Sequence, residues 1–267
     1  MRRSTATTAA ARVAFMIGHP IAHAVMPERF NAWALAGGHD VVMTPLNLSA
    51  PSVADFLALL RGAENALGAV VTAPHKHAVL GAMDRLSDDA RIVGAVNVVI
   101  RGADGALIGD NTDGAGFVAA MADHGVAPKG ARGLVFGCGG AGASIAARLV
   151  AGGAHVDLVD TDTAKARDLA DQLSPLTQGR AQQVARPEAV SGYDLVVNAS
   201  SVGLDGVSMV HELGGLSPGT LVGDVVTQPA VTAFLKTAED RGGVIQTGAE
   251  MAGAQLPLIL SRFGLTA

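Results

Sequence analysis

The feature that most constrains the fold is a glycine pattern, Gly137-x-Gly139-x-x-Gly142, between an apolar run at 133–136 and an alanine-rich run at 144–150. In a strand–turn–helix unit, the first glycine makes the tight turn and the second lets a pyrophosphate approach the backbone. The third lets helix and strand pack closely, while N–H groups at the helix start hold the anion. The pattern predicts a Rossmann dinucleotide-binding loop; the alternative is a tight glycine turn without a ligand. The expected cofactor contacts are Gly137, Gly139, Gly140, Ala141 and Gly142.

An acidic residue follows the next apolar strand, as this interpretation requires. Asp160 lies 23 residues after Gly137, where a carboxylate can bind the adenosine ribose hydroxyls and repel a 2′-phosphate. The chain continues Thr161-Asp162-Thr163, with no Arg or Lys directly after Asp160. We therefore predict NAD as the cofactor, with NADP as the alternative. Asp162 also suits the N-cap of the next helix, which is compatible with this prediction.

Composition limits the class of protein. With 49% hydrophobic and 16% charged residues among 267, the chain has ample apolar surface to bury in one large or two medium domains. A net charge of −5 without a Lys/Arg run argues against a nucleic-acid surface. No stretch reaches the ~18 apolar residues of a membrane helix, and the N-terminal dozen residues are expected to be a frayed tail. The single cysteine, Cys138, cannot form an internal disulfide and is expected to fill space, so we predict a soluble cytoplasmic protein.

Short β-branched runs alternate with Ala/Leu-rich runs along the whole chain, which predicts an α/β fold with parallel sheets covered by helices. The predicted strands are 13–17, 41–46, 67–71, 96–101, 107–108, 133–136, 155–159, 195–198 and 221–224. The predicted helices are 28–36, 53–60, 76–83, 88–93, 117–124, 144–150, 163–173, 231–241 and 250–263. The rhythm changes near residue 113, which predicts a second domain from that point.

Three polar clusters lie next to apolar strands in the first half of the chain. They are Thr-Ala-Pro-His-Lys at 72–76, Gly-Ala-Val-Asn at 94–97 and Gly-Asp-Asn-Thr-Asp-Gly at 109–114. Ligands of open α/β sheets bind at strand ends. We therefore expect the three clusters to form part of a binding site.

These clusters belong to an ordered set of motifs. The set is P-I-x-H at 20–23, T-x-P-x-K at 72–76, G-A-V-N at 94–97, N-T-D-G-x-G at 111–116, G-x-G-G-A at 137–141, N-A-S-S-x-G at 198–203 and a late Gln255. From residue 18 to residue 264 the chain resembles the shikimate dehydrogenase family. The resemblance implies an N-terminal α/β substrate domain and a doubly wound Rossmann cofactor domain. It places the first at 1–112, completed by a C-terminal helix at 248–267, and the second at 113–247.

The resemblance also implies reversible hydride transfer between NAD(P) and a ring secondary alcohol of a shikimate- or quinate-type cyclic polyol. Lys76 and Asp113 match the family's catalytic lysine and aspartate. The positions that match ring-hydroxyl ligands are Thr72, Asn97 and Gln255. The positions that match the cofactor lining are Asn198, Val225 and Gly248.

The sequence allows two chemical roles for Lys76. Oxidising an alcohol releases a proton from oxygen, so a group must accept that proton or stabilise the alkoxide. Desolvation lowers the pKa of a lysine and a neighbouring carboxylate such as Asp113 raises it. Lys76 is therefore expected to act as a proton shuttle or as a cation that stabilises developing charge. The alternative is a plain surface salt bridge between Lys76 and Asp113.

The chain departs from the family at positions expected to bind the substrate carboxylate. Ala24 and Met26 replace two loop hydroxyls, Val70 replaces an asparagine and Thr227 replaces a tyrosine. Each lost charge-assisted hydrogen bond is worth ~1.5–3 kcal/mol, so shikimate itself is expected to bind weakly unless Thr227, His23 or Arg29 supplies donors. The alternative is a bulkier, less polar or differently substituted substrate, contacted by the flexible Met26 and by Thr227.

Two further functions remain as alternatives to this oxidoreductase. One is a non-catalytic dinucleotide-binding sensor, and the other is a dehydrogenase of an unrelated cyclic substrate. The histidines lack the spacing and third ligand of a metal centre, so no metal is predicted. The expected partner is the small-molecule substrate alone, for a monomer or homodimer that binds neither nucleic acid nor membrane.

Overall fold

The computed structural model describes residues 7–175 and 179–266. The first six residues of the predicted N-terminal tail lie outside the described residues. Within the described ranges, the chain divides into two compact units. Unit 1 comprises residues 7–112 and 256–266, and unit 2 comprises residues 113–255. The boundary at 255/256 falls inside the last helix, α8 (Gly248–Arg262).

Unit 1 contains a sheet in the order β2-β1-β3-β5-β6-β4. Its strands are β1 (Arg12–Gly18), β2 (Val41–Asn47), β3 (Ala66–Val71), β4 (Arg85–Leu86), β5 (Val98–Arg101) and β6 (Leu107–Asp110). Its helices, besides the end of α8, are α1 (Met26–Gly37), α2 (Val53–Gly62) and α3 (Asp88–Val93). β1 pairs in parallel with β2 and β3, whereas β5 runs antiparallel to both β3 and β6. The end of β3, the start of β5 and the end of β6 therefore share one edge of the sheet.

Local sequence explains where the helices of unit 1 begin and end. Pro27 sits in the first turn of α1, where a missing N–H costs no hydrogen bond. Gly38 ends that helix at φ 69°, a left-handed conformation that glycine adopts without strain. Ser87 caps α3 by accepting a hydrogen bond from the N–H of Ala90. Apolar side chains of α2 pack with those of β1 and β3 into one buried core.

Unit 2 contains a sheet in the order β12-β11-β10-β7-β8-β9, with every pair parallel. Its strands are β7 (Arg132–Phe136), β8 (His155–Val159), β9 (Arg180–Gln183), β10 (Leu195–Asn198), β11 (Leu221–Asp224) and β12 (Val244–Gln246). Its helices, besides the start of α8, are α4 (Asp113–Asp123), α5 (Gly140–Ala151), α6 (Thr163–Leu173) and α7 (Ala233–Asp240). This is the strand order of a doubly wound Rossmann sheet, whose direction reverses between β7 and β10. The predicted α/β fold class is confirmed.

The expected helix at 76–83 is wrong. The structure has successive turns there, with a short 3₁₀ segment at Leu80–Ala82. The carbonyl of Lys76 accepts a hydrogen bond from the N–H of Val96 at 2.8 Å, so it does not continue a helical ladder. Sequence reasoning also missed the short strands β4, β9 and β12. None of the helices in the described ranges is long and apolar enough to cross a membrane.

Candidate functional site

The glycine loop of unit 2 has the geometry that an anion-binding turn needs. Gly137 follows β7 at φ 95°, where a side chain would strain the backbone. A Cβ on Gly142 would lie 1.9 Å from the carbonyl oxygen of Gly137, so only glycine fits there. At Gly139, the N-cap of α5, a Cβ would meet no heavy atom of the described residues within 4 Å. The loop therefore has an open side at the positive end of α5, which suits a pyrophosphate.

Asp160 lies directly after β8 and is attached to this loop. Its Oδ2 accepts a hydrogen bond from the backbone N–H of Cys138 at 2.7 Å, and its Oδ1 accepts one from Asp162 at 2.9 Å. Burial raises the pKa of Asp160, but these hydrogen bonds outweigh burial and hold the pKa below its ordinary value. The carboxylate is therefore ionised at neutral pH and held beside the phosphate loop.

Asp162 and Cys138, which both contact Asp160, have structural roles. The Asp162 side chain caps α6 by accepting hydrogen bonds from the N–H groups of Ala164 and Lys165. The thiol of Cys138 is 4% exposed, and burial, together with the charge of Asp160, raises its pKa to about 12. An un-ionised, buried thiol is a poor nucleophile. These contacts support the role of Cys138 as a space-filler in the loop.

Asn198 ends β10 and is fully buried. Its side chain makes four hydrogen bonds: it donates to the carbonyl of Val202 and to Asp224 Oδ1, and it accepts from the N–H and the hydroxyl of Ser200. Asp224 ends β11 and also accepts from the hydroxyl of Thr232 at 2.7 Å. Asn198 and Asp224 therefore hold the loops that follow two neighbouring strands at the carboxyl edge of the sheet.

Val225 and Gly248 lie close to this network. Val225 is half-buried directly after β11, and its N–H donates to the carbonyl of Asn198 at 3.0 Å. Gly248 opens α8, where a Cβ would lie 2.4 Å from the carbonyl oxygen of Val226. The close approach of α8 to this loop requires a glycine. A capping box formed by Thr247 and Glu250 fixes the start of the helix.

Asp113 and Gln255 meet within unit 2. Asp113 is the first residue of α4 and is 4% exposed, and Gln255 in α8 is 7% exposed. The Nε2 of Gln255 donates to Oδ1 of Asp113 at 3.2 Å. Gly116 makes this contact possible, since a Cβ there would lie 2.3 Å from the Cγ of Gln255. α4 also packs on α5, because the N–H of Gly114 donates to the Ser144 hydroxyl at 2.7 Å.

Asn97 and Thr112 meet within unit 1, at the shared edge of β3, β5 and β6. Asn97 is 2% exposed; its Oδ1 accepts from the N–H of Thr112 at 2.8 Å and its Nδ2 donates to the Thr112 hydroxyl at 3.1 Å. Thr72 follows β3 and is half-buried, and its N–H donates to the carbonyl of Ile17. The predicted ring-hydroxyl ligands Thr72 and Asn97 therefore flank the neighbouring ends of the adjacent strands β3 and β5.

The turn that carries Lys76 is anchored on both sides. His75 is 1% exposed, and its Nε2 donates to the carbonyl of Leu48 at 2.7 Å. His77 Nδ1 lies 2.9 Å from the carbonyl of Gly94. With the Lys76 carbonyl bonded to Val96, these contacts fix the backbone from which the half-buried Lys76 side chain extends. Lys76 belongs to unit 1 and Asp113 to unit 2.

Two comparisons bear on the identity of this arrangement. A sequence model of the shikimate dehydrogenase substrate binding domain matches residues 16–99. A shikimate dehydrogenase (NADP(+)) from Acidiphilium cryptum (strain JF-5) is 36% identical over 258 residues, which covers 96% of this chain and 92% of the relative. The chain belongs to the shikimate dehydrogenase family. The resemblance predicted from the sequence motifs is confirmed.

Solved structures are similar over the same extent. The ligand-free 5-ketofructose reductase of Gluconobacter sp. strain CHM43 has a TM-score of 0.86 and 31% identity, covering 96% of this chain and 94% of that protein. Quinate dehydrogenase from Corynebacterium glutamicum in complex with NAD has a TM-score of 0.79 and 29% identity, with coverage of 96% and 94%. Neighbours with different named substrates thus share the fold.

In this member of the shikimate dehydrogenase family, the loop after β1 is apolar apart from His19 and His23. Between Gly18 and Pro27 no residue carries a hydroxyl. Ala24 is half-buried, and Met26 is 3% exposed among the core residues at the start of α1. Val70 is 5% exposed within β3, and Thr227 is half-buried in unit 2. The side chains of Ala24 and Met26 cannot donate hydrogen bonds to a carboxylate.

Sequence reasoning missed the role of Asp110. This carboxylate is 2% exposed at the end of β6 and accepts hydrogen bonds from Ser87, the N–H of Asn111 and the guanidinium of Arg262. Burial raises the pKa of Asp110, but the three donors together hold it below its ordinary value. The ion pair ties the end of α8 to the sheet of unit 1. Its partners are 152 residues apart, so no local pattern indicates it.

Proposed function

We propose that this chain catalyses reversible hydride transfer between a nicotinamide dinucleotide and a ring secondary alcohol of a shikimate- or quinate-type cyclic polyol. The observation that carries the proposal is the loop at 137–142, where Gly137 and Gly142 pack closely and the start of α5 stays open beside Gly139. The loop residues and the N-terminus of α5 would hold the pyrophosphate. A bound nicotinamide supplies the hydride acceptor or donor, and the protein supplies orientation and electrostatics.

NAD is the proposed cofactor in preference to NADP. Asp160 is ionised and held beside the phosphate loop by Cys138 and Asp162, where a carboxylate accepts ribose hydroxyls and repels a 2′-phosphate. Asp162 adds a second negative charge at the start of α6. The Acidiphilium relative is named an NADP(+) enzyme, whereas the quinate dehydrogenase neighbour binds NAD. Asp160 and Asp162 of this chain favour NAD, the cofactor in the quinate dehydrogenase neighbour.

We assign transfer of the proton of the alcohol to Lys76 and Asp113. The turn at 72–77 fixes the backbone of Lys76 through His75 and Val96, and Gln255 donates to Asp113. Lys76 would accept the proton or stabilise the developing alkoxide, with Asp113 as its acidic partner. Both roles require Lys76 for turnover.

The two units take separate parts in this proposal. We propose that the predicted substrate domain, residues 1–112 with the C-terminal helix at 248–267, corresponds to unit 1, and that the predicted cofactor domain, residues 113–247, corresponds to unit 2; the structure divides the units at 255/256. The proposed substrate ligands are Thr72, Asn97, Thr227, Gln255 and Met26. The proposed cofactor ligands are Gly137, Gly139, Gly140, Ala141, Gly142, Asp160, Asn198, Val225 and Gly248. Asn198 contributes by holding the 199–202 loop, since its own side chain is fully hydrogen-bonded to protein.

A second candidate is a neutral polyol or ketose without a carboxylate. The observation that favours it is the loop from 19 to 26, whose side chains include no hydroxyl and whose Met26 is buried in the core. The neighbour with 31% identity and a TM-score of 0.86 is named a 5-ketofructose reductase, and a ketose has no carboxylate. A substrate of this class needs no charged donors at Ala24 or Met26.

A panel assay tests both candidates. Reduction of NAD or NADP is followed at 340 nm with shikimate, quinate and neutral cyclic polyols, and the reverse reaction is followed with cyclic ketones and ketoses. Higher kcat/KM with shikimate or quinate supports the first candidate, and higher kcat/KM with a neutral polyol or ketose supports the second. Tight cofactor binding without turnover of any substrate would instead favour a dinucleotide sensor.

A further inference from the structure

The carboxyl edge of the unit 2 sheet presents the parts of a dinucleotide site in a fixed order. Neighbouring strands run β10-β7-β8-β9. The glycine loop follows β7 and Asp160 follows β8, so the phosphate site and the ribose site lie on adjacent strands. A nucleotide's base is attached to its ribose on the side away from the phosphates. The base therefore extends toward the segment that follows β9.

Arg186 lies in that segment, close to the level of Asp160. β8 and β9 pair in parallel with Leu158 opposite Gln183, and the N–H of Val184 donates to the carbonyl of Leu158 at 3.1 Å. This register, continued by two residues, places residue 185 opposite Asp160. Arg186 is one residue further along, at the same edge of the sheet as the ribose carboxylate.

The side chain of Arg186 is exposed to solvent, but it contacts an aromatic ring. Its guanidinium carbon lies 5.7 Å from the ring centroid of Phe136, the last residue of β7 before the glycine loop. Phe136 is 3% exposed and also stacks with His211 at 5.5 Å between ring centroids. The backbone next to Arg186 is held as well, because His211 Nε2 donates to the carbonyl of Pro187 at 3.0 Å. The guanidinium of Arg186 thus has one face toward a rigid aromatic ring.

We infer that the guanidinium of Arg186 stacks on the adenine ring of the dinucleotide and so contributes to cofactor affinity. The inference rests on the proposed function, since it needs a dinucleotide at this edge. A guanidinium is planar and weakly hydrated, and it stacks readily on aromatic faces. Stacking depends on the purine ring and does not depend on whether the ribose carries a 2′-hydroxyl or a 2′-phosphate. Arg186 is therefore a determinant of affinity for the adenosine half, whereas Asp160 sets the choice between NAD and NADP.

The experiment compares Arg186→Ala and Arg186→Met with the wild-type protein. The Met variant keeps an unbranched apolar side chain at this position and loses the charged guanidinium plane that faces Phe136. Arg180→Ala is the matched control, because Arg180 is an exposed arginine at the start of β9, the strand that precedes Arg186, on the opposite edge of the sheet. Dissociation constants for NAD, NADP and AMP are measured by calorimetry, and that for nicotinamide mononucleotide is measured by ligand-observed NMR titration.

Both Arg186 variants are expected to bind NAD, NADP and AMP about three- to thirtyfold more weakly, the range of one cation–π contact. Nicotinamide mononucleotide, which lacks adenosine, is expected to bind with unchanged affinity, as is every ligand to Arg180→Ala. Unchanged NAD and AMP affinity in the variants would overturn the inference. So would an equal loss for nicotinamide mononucleotide, a loss confined to NADP, or wild-type affinity in Arg186→Met.

Failure of the inference differs from failure of the proposed function. A wild-type protein that binds neither NAD nor NADP would contradict the proposed function itself and the inference with it. A wild-type protein that binds NAD and reduces it at 340 nm, with Arg186 variants of equal affinity, would contradict the role of Arg186 alone.

Discussion

Gln255 in α8 donates a hydrogen bond from Nε2 to Oδ1 of Asp113, the first residue of α4, over 3.2 Å. Both side chains are buried, at 7% and 4% exposure. A hydrogen bond to a carboxylate is stronger than one between neutral groups, and a buried carboxylate that loses a donor is left with an uncompensated desolvation cost. The contact also requires Gly116, where a Cβ would collide with the Gln255 side chain. The last helix of the chain therefore positions the acidic residue assigned to proton handling.

Replacing Gln255 with Ala is expected to lower kcat and raise KM together. The variant removes one donor to Asp113 and one proposed ligand of a ring hydroxyl. A hydrogen bond to a charged group is worth ~1.5–3 kcal/mol, so kcat/KM is expected to fall about ten- to hundredfold. Steady-state kinetics measures the loss, and thermal unfolding by circular dichroism serves as the folding control. A folded variant with wild-type kcat/KM would remove Gln255 from the site.

Replacing Lys76 with Met is expected to abolish most turnover while leaving substrate affinity nearly intact. Positioned proton transfer contributes about 10²- to 10⁴-fold, so kcat is expected to fall within that range. Substrate binding is followed by calorimetry in the presence of the cofactor. Lys129→Met is the matched control, because Lys129 is exposed in unit 2 and has no assigned role. Near-normal kcat in Lys76→Met would exclude both the shuttle and the electrostatic role.

Much of unit 2 can be predicted from sequence because its signals are local. Asp162 supplies an N-cap, and apolar residues then recur at helical spacing, so the bounds of α6 agree with the prediction at both ends. β10 and β11 are short apolar runs that end in a polar residue, and the predicted limits of both strands agree with the structure. The glycine loop is predictable because Gly137 and Gly142 meet steric needs of the protein and Gly139 leaves the start of α5 open.

The features that sequence reasoning missed depend on contacts between distant residues. The expected helix at 76–83 fails because the Lys76 carbonyl bonds to Val96 across the fold. β9 is a polar strand, Arg-Ala-Gln-Gln, at the edge of its sheet, where burial imposes no apolar pattern. The network of Asn198, Asp224 and Thr232 joins the ends of two strands, and its partners become neighbours only once the sheet is assembled.

Changing Asp160 to Asn is expected to weaken the preference for NAD over NADP. The substitution keeps the shape of the side chain and removes the charge that repels a 2′-phosphate. The ratio of kcat/KM for NAD to that for NADP is expected to fall about tenfold or more, since one full charge is removed at close range. Asp162→Ser keeps the N-cap of α6 while removing its charge, and it is expected to change the ratio less. An unchanged ratio in Asp160→Asn, or an NADP preference in the wild type, would contradict the proposed role of this carboxylate.

Asp224 is expected to make the stability of unit 2 depend on pH. Burial raises the pKa of Asp224 to about 6 from an ordinary value of 3.8, against the lowering effect of hydrogen bonds from Val226, Thr232 and Asn198. Between these values the folded chain holds a proton that the unfolded chain releases. The stabilising contribution is therefore complete below pH 3.8 and is lost as the pH rises through about 6.

The variant Asp224→Asn does not titrate, and its amide can still bond to Thr232. The free energy of unfolding of this variant, relative to the wild type, is expected to increase by about 2–3 kcal/mol between pH 4 and pH 7.5, as measured by urea denaturation. Asp205→Asn is the control of opposite sign, because hydrogen bonds with Ser208 lower the pKa of the exposed Asp205. The free energy of unfolding of the wild type, relative to that of Asp205→Asn, is expected to decrease as the pH falls. A difference between Asp224→Asn and wild type that stays constant with pH would show that Asp224 does not titrate in this range.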